Sequence, residues 1–377
     1  MTTQTVMMSS QELKTALRPA REYFTSRTQK AILRIFLKHL PSSDDVPVKA
    51  KKIATNLQAI ITADESLQSV SERFWDLWEI LLSIVNWAPP DHLLQDTLLL
   101  VVVHLAQLDG LVTNPESDEM KWENLPNLIA CIRDHWFNPT HLDDFTEEDV
   151  SKWKNTSSFI ARYSALDPLE MGSLYPLATV RDALEEPVPN GPKMDCGLWV
   201  ATEWIMRYGP ALYWFLTTQN TELDEQRTRA FRLGSLCEEK TFPLISVDRW
   251  HYWKKRLEDI SENWDDFELE SATPERIEQA IQVMNAVENG TLAESQLKDK
   301  AQVKAKSVED EKHVTEEEEE EISLWKRIRS TLQLPWKWCK LFMLRCRLLL
   351  GTPKSSGGRK SRVQPLKNKF RNVVKRW

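Results

Sequence analysis

One carboxylate in this sequence sits where acid–base chemistry could be built. Glu203 lies in the run Cys196-Gly197-Leu198-Trp199-Val200-Ala201-Thr202-Glu203-Trp204-Ile205-Met206, among apolar neighbours. Burial there would raise its pKa, which is how a general acid is made. The other reading pairs it with Arg207, one helical turn on. Histidines come next. His92 and His104 are twelve residues apart, so on one helix they point about 120° from each other. No i, i+4 His or carboxylate pair completes a zinc site around them. His135 and His141 flank a proline-containing turn with Asp143 and Asp144 nearby. That group could ligate a metal or simply solvate a loop. Cys196–Ser261 carries no nucleophile–base pair at a usable spacing, no phosphate loop and no metal box. Hence no residue is assigned a catalytic, cofactor-binding or metal-binding role, no cofactor is expected and no small-molecule substrate is identified. Whether the chain is an enzyme stays open.

Aromatic and basic groups offer binding rather than catalysis. Trp199, Trp204, Trp214, Trp250 and Trp253 could wall a ligand pocket or fill the core between helices, where each buries a large area. On the segment 246–260, Trp250, Trp253, Leu257 and Ile260 form an apolar face. Asp248, Arg249, His251, Lys254, Lys255 and Arg256 are read as the opposite face, either a basic surface for a protein partner or an ordinary solvated one.

The largest compositional feature lies further on. Residues 322–377 contain sixteen Lys/Arg and no Asp/Glu, so the other 33 basic residues face all 56 acidic ones before position 322, a net −23. Bulky apolar and basic side chains alternate in this tail: Trp325, Lys326, Arg327 and Arg329, then Trp336, Lys337, Trp338, Lys340, Arg345 and Arg347. As a helix, Lys337, Lys340, Arg345 and Arg347 fall within an arc of roughly 160°. That pattern fits a helix lying in the surface of an anionic membrane, and is too short and too charged to span one. Basic clusters follow at Arg359, Lys360 and Arg362, and at Lys367, Lys369, Arg371, Lys375 and Arg376. They fit non-specific nucleic-acid binding or nuclear import equally, without any sequence-reading motif. A third reading folds the tail back on the acidic body, with Glu316–Glu321 as its nearest counter-charge.

The elements that would position these residues are helical. Glycine is scarce, at 10 residues, and no alternating strand pattern appears. Helical periodicity runs from Tyr23 to Leu40, and again after Pro47 through Ile61. Thr62-Ala63-Asp64-Glu65 fits a capping box opening a helix to Trp87. Further helices are expected at 91–108 (Val101–Val103 leaving a strand open), 123–136, 147–165, 175–186, 198–216 with a kink or break at Gly209-Pro210, 224–238, 246–260 and from Thr273 to Asn289-Gly290. The predicted architecture is all-α, an irregular multi-helix body with a Trp-rich core. It divides into a disordered N-terminus (1–19), a globular domain (20–290), a disordered acidic linker (291–321), basic amphipathic helices (322–350) and a disordered basic tail (351–377).

Cys196–Met206 and the segment Ser246-Val247-Asp248-Arg249-Trp250-His251-Tyr252-Trp253-Lys254-Lys255-Arg256-Leu257 resemble a fungal family described as domain of unknown function 3632. Ala230-Phe231-Arg232-Leu233-Gly234-Ser235-Leu236-Cys237 is similar to a further stretch of it. The likeness covers about residues 65–265 and is tightest over 190–265. It implies a largely helical intracellular protein of unassigned activity, and carries no functional residues over. The scattered cysteines (Cys131, Cys196, Cys237, Cys339, Cys346) form no CxxC, which suits a reducing compartment. The opening residues lack a secretory pattern. The expectation is therefore a cytoplasmic or nuclear protein, peripheral to a membrane if the tail binds one, with an unidentified protein partner.

Overall fold

Apolar periodicity resolves into an all-α architecture in the computed structural model, which describes Thr15 and residues 18–63, 68–108, 121–166, 174–218, 223–237 and 242–290. The helices are α1 (Arg18–Tyr23), α2 (Arg27–His39), α3 (Val46–Ile61), α4 (Val70–Val85), α5 (Leu93–Ala106), α6 (Leu128–His135), α7 (Glu147–Ser164), α8 (Leu174–Leu184), α9 (Pro192–Thr218), α10 (Glu225–Ala230), α11 (Val247–Glu262) and α12 (Thr273–Glu288). Short 3-10 turns occur at Trp122–Asn124, Pro139–His141 and Ser235–Cys237, and no β-strand occurs among the described residues. The chain divides into two units, Met1–Glu288 and Asn289–Trp377. All of these helices belong to the first. The linker and every tail residue proposed to meet a partner, from Trp325 to Arg376, lie outside the described residues.

The long helix α9 is the axis of the body. Helices α7, α8 and α12 pack along it, and α11 lies against both α12 and α9. In the N-terminal half, α3 packs on α5 and α2, while α4 contacts α2 and α6. Pro210 sits within α9 without ending it. Of the expected kink or break, the break is absent, and Gly209 beside the proline is buried against Trp250.

Aromatic side chains fill the seams between these helices. Trp78, Trp122, Trp204, Trp250 and Trp253 are almost fully buried. Trp136 touches Trp153 and Tyr175, each at 4.7 Å between ring centres, and Trp204 at 6.0 Å. The two Trp–Trp contacts are edge-on, a geometry that satisfies the ring quadrupoles as well as burying area. Trp199 and Trp214 are only half-buried. No span of the described helices is long and apolar enough to cross a membrane.

Four local expectations change, each for a stated reason. Thr62 closes α3 rather than opening α4: its N–H bonds back to Gln58 O at 3.0 Å. The working capping box is Ser69 with Glu72, whose carboxylate accepts the Ser69 N–H at 2.7 Å. Helix from Tyr23 to Leu40 is interrupted, because Ser26 caps α2 with Gln29. Leu125 and Asn127 take φ values of 42° and 65°, which ends the 3-10 turn before α6 begins. The span 224–238 is helical only at α10 and at the turn Ser235–Cys237, the chain between being held open by a buried arginine described below. Val101–Val103 are helical, inside α5.

Candidate functional site

Of the buried carboxylates Asp76, Glu185, Asp195 and Glu203, Glu185 and Glu203 are each paired with arginine. Glu185, the residue after α8, is fully buried, as is Arg249 in the first turn of α11. Arg249 Nε donates to Glu185 Oε1 at 2.6 Å and Nη2 to Oε2 at 3.0 Å. The remaining guanidinium donors reach backbone carbonyls: Phe231 O at 2.7 Å, Leu244 O at 2.8 Å and Arg232 O at 3.1 Å. All five N–H bonds of the guanidinium are thereby used. The carboxylate is equally occupied. Trp253 Nε1 donates to Oε1 at 2.6 Å, and Gly234 N–H donates to Oε2 at 2.8 Å. Glu185 O also accepts the Leu236 N–H at 2.8 Å. This pair therefore clasps the chain 231–237 between α8 and α11, and its lone pairs are filled by intramolecular donors.

Sequence periodicity held a signal for this clasp that side-chain type concealed. At 100° per residue, Arg249 falls about 40° from Trp253 and about 20° from Ile260. That is inside the buried stripe, not opposite it, and the expected placement of Arg249 on the solvated face is corrected. On the rest of that face Asp248, His251 and Lys255 are exposed, while some members make contacts within the protein. Lys254 pairs with Glu288 at 2.8 Å, His251 lies 4.0 Å from the same carboxylate, and Arg256 stacks over Phe267.

Glu203 lies midway along α9 and is likewise buried. Ser158 Oγ of α7 donates to its Oε1 at 2.6 Å, Arg207 Nε donates to the same oxygen at 3.0 Å, and Arg276 Nη2 of α12 donates to Oε2 at 2.5 Å. Of the two readings open for Glu203, pairing with Arg207 is the one found. Burial alone would raise this carboxyl, but the Arg207 charge, the Ser158 hydroxyl and the Arg276 charge hold it below its ordinary range. It is thus an ionised anchor, not a proton donor near neutrality. Arg162 of α7 extends the cluster, donating to Asp96 Oδ1 at 2.8 Å and to Pro90 O.

A pH dependence follows from Glu203. Its folded pKa lies below that of an unfolded Glu, about 4.3, so the unfolded chain binds more protons in the interval between the two values. Its stabilising contribution is fully present above the unfolded value and is lost as pH falls through the folded one. The stability gap between wild type and Glu203→Gln, measured by urea unfolding across pH 3–7, should narrow below about pH 4.3. A gap of constant size would contradict the assignment.

The histidines do not assemble a metal centre: no group of three or more His, Cys, Asp or Glu suited to a metal occurs among the described residues. His92 caps α5, its Nδ1 accepting the Leu94 N–H. His104 is half-buried on α5, with its pKa lowered by burial and then by Lys51. His141 lies 3.9 Å from Asp182, while Asp143 is exposed and 3.7 Å from Lys193. A Cys–His contact that sequence reading missed, Cys131 Sγ to His135 Nδ1 at 3.6 Å, was visible as an i, i+4 spacing. It is no nucleophile, because burial, Glu79 and Asp134 push the Cys131 thiol up to about 12. Cys196 is similarly raised, to about 11. An open cleft of about 580 Å³ is lined by Thr25, Arg27, Lys30, Ala31 and Arg34, with no tryptophan in its lining.

Fold and site together define an α-helical domain pinned by two buried carboxylate–arginine clusters. Residues 78–257 match the sequence profile of a family described as Protein of unknown function (DUF3632). The family is the one resembled at Cys196–Met206 and Ser246–Leu257. Glu185, Glu203, Gly234 and Arg249 all fall within the matched span, whereas Arg276 lies beyond it. No curated protein and no solved structure matches the chain.

Proposed function

We propose that this is a non-enzymatic intracellular protein, in which a helical body presents surfaces to a protein partner and a basic aromatic tail tethers it to anionic membrane. The observation that carries the reading is the charge of the tail: sixteen Lys/Arg and no Asp/Glu in residues 322–377, interleaved with Trp325, Trp336 and Trp338. Each cation near an anionic surface contributes about 1 kcal/mol, and indole rings settle at the headgroup level. For the non-enzymatic part of the reading, the support is that the buried carboxylates of Glu185 and Glu203 are engaged by the protein's own donors.

Flotation of the full-length chain with vesicles tests this. Binding is expected to phosphatidylserine-containing vesicles, to be absent with neutral phosphatidylcholine, and to weaken steeply with salt. Changing Lys326, Arg327, Arg329, Lys337, Lys340, Arg345 and Arg347 together to Gln should abolish it. Failure of the unmodified chain to float with anionic vesicles sinks the proposal. Salt-sensitive DNA binding in its place would transfer the tail to nucleic acid.

A further inference from the structure

The cluster around Glu203 has donors left over. Arg162, Arg207 and Arg276 come from three different helices, and Glu203 orients two of them from inside. Arg207 spends Nε on Glu203. Arg276 spends Nε on Trp199 O and Thr202 Oγ1, and Nη2 on Glu203. The Nη groups of Arg207 and Nη1 of Arg276 make no hydrogen bond among the described residues. Arg162 is 13% exposed and spends Nη1 on Asp96 and Nη2 on Pro90 O, while its Nε is buried with no hydrogen-bond partner among the described residues. Burial first, and the Arg207 charge second, disfavour the charged form of Arg162. This is a place where positive charge is crowded.

Asp91 is the counter-charge that matters. Its side chain is 92% exposed and lies 3.6 Å from Arg207 Nη2 and 4.0 Å from Arg162 Nη2, too far for a hydrogen bond to either. A carboxylate so solvated screens the arginines at little cost to itself and gives way readily. Beside it, the Trp199 ring carries Arg276 at 3.9 Å and Lys154 at 5.4 Å from its centre. We propose that Arg162, Arg207 and Arg276 form a site for an oxyanion, a phosphate or carboxylate group, whose place Asp91 holds in the free protein. Planar guanidinium groups held from behind match two oxygens of such a group at once, which a flexible surface lysine does not. The site is independent of the tail reading.

The test is titration of the full-length protein with inorganic phosphate and, separately, with acetate. Thermal melting is followed against sodium chloride of equal ionic strength. A saturable rise above the chloride reference is expected with at least one of the two, and whichever saturates names the oxyanion. Asp91→Asn should tighten that binding about two- to fivefold, since it removes one exposed ion-pair competitor. Arg207→Gln should abolish saturation while leaving the far-ultraviolet circular dichroism intact. If Arg207→Gln unfolds the chain, Asp91→Asn decides alone, because its exposed side chain does not hold the fold. The proposal is overturned if neither anion exceeds chloride, or if Asp91→Asn binds no tighter. It is overturned equally if saturation survives unchanged in both variants, which would place the anion on the basic tail.

Discussion

Replacing Glu185 by Ala is expected to destabilise the protein by about 3–5 kcal/mol, the range for removing one partner of a buried ion pair. Against a total stability of about 5–15 kcal/mol for an ordinary domain, that is a large share. The expected reading is a fall in the urea midpoint with little change in slope. The loss arises because Arg249, itself fully buried, would keep its charge with no carboxylate to meet it. In many proteins a buried pair can be exchanged for apolar residues at no net cost. Here the exchange should fail, because the pair also satisfies three backbone carbonyls, the Gly234 N–H and the Trp253 indole. Glu185→Leu with Arg249→Met should therefore remain clearly less stable than wild type. A double variant as stable as wild type would show that the chain 231–237 needs no clasp.

Gly234→Ala is the second large effect. A Cβ at this position would lie 2.3 Å from Glu185 O and 2.6 Å from both its carbonyl carbon and its Cβ. No rotamer relieves a clash with backbone, so the loop must back away. In doing so it strains two buried hydrogen bonds, Gly234 N–H to Glu185 Oε2 and Leu236 N–H to Glu185 O. Overpacking costs about 1–3 kcal/mol, and a stranded buried polar group costs about 1–3 kcal/mol more. Gly197→Ala makes the control. Its Cβ would meet Ala183 Cβ at an ordinary 3.7 Å, and within α9 alanine is favoured over glycine by up to about 1 kcal/mol. Paired urea melts should show the two substitutions moving in opposite directions. Equal shifts would mean that the Gly234 contact is not what fixes the loop.

The helices themselves were legible mainly through apolar stripes at a 3.6-residue period, and less through caps, since Asp45 before α3 and Asn127 before α6 make no side-chain capping bond. Ser246 at the start of α11 is read correctly from sequence, and so is Thr273-Pro274 at the start of α12. Thr62 misleads because a Thr-x-x-Glu spacing can also begin by chance at the residue that closes a helix. The pairing of Glu203 with Arg207 is legible as well, being a contact along one helix face. Its other partners, Ser158 and Arg276, stand 45 and 73 residues away, and no local pattern announces them. Arg249 shows the subtler failure. Its angular position belongs with the buried tryptophans, yet an arginine is assigned to solvent by type unless its partner is known, and Glu185 is 64 residues back. The similarity of Ala230–Cys237 to a family stretch acquires a cause in the same way: Gly234 is the one residue type that lets the chain lie against Glu185.

That separation also sets an order of events during synthesis. Glu185 is made 64 residues before Arg249, an interval of roughly 3–13 s at ribosomal rates of about 5–20 residues per second. Through that interval α8 can form, but its last carboxylate has no cation to enter the core with, and the turn at Gly234 has nothing to close upon. The nascent chain must keep this corner open to water until α11 arrives. Glu185 is thus a timing element as much as a packing one, deferring closure of this corner until Arg249 of α11 has left the ribosome.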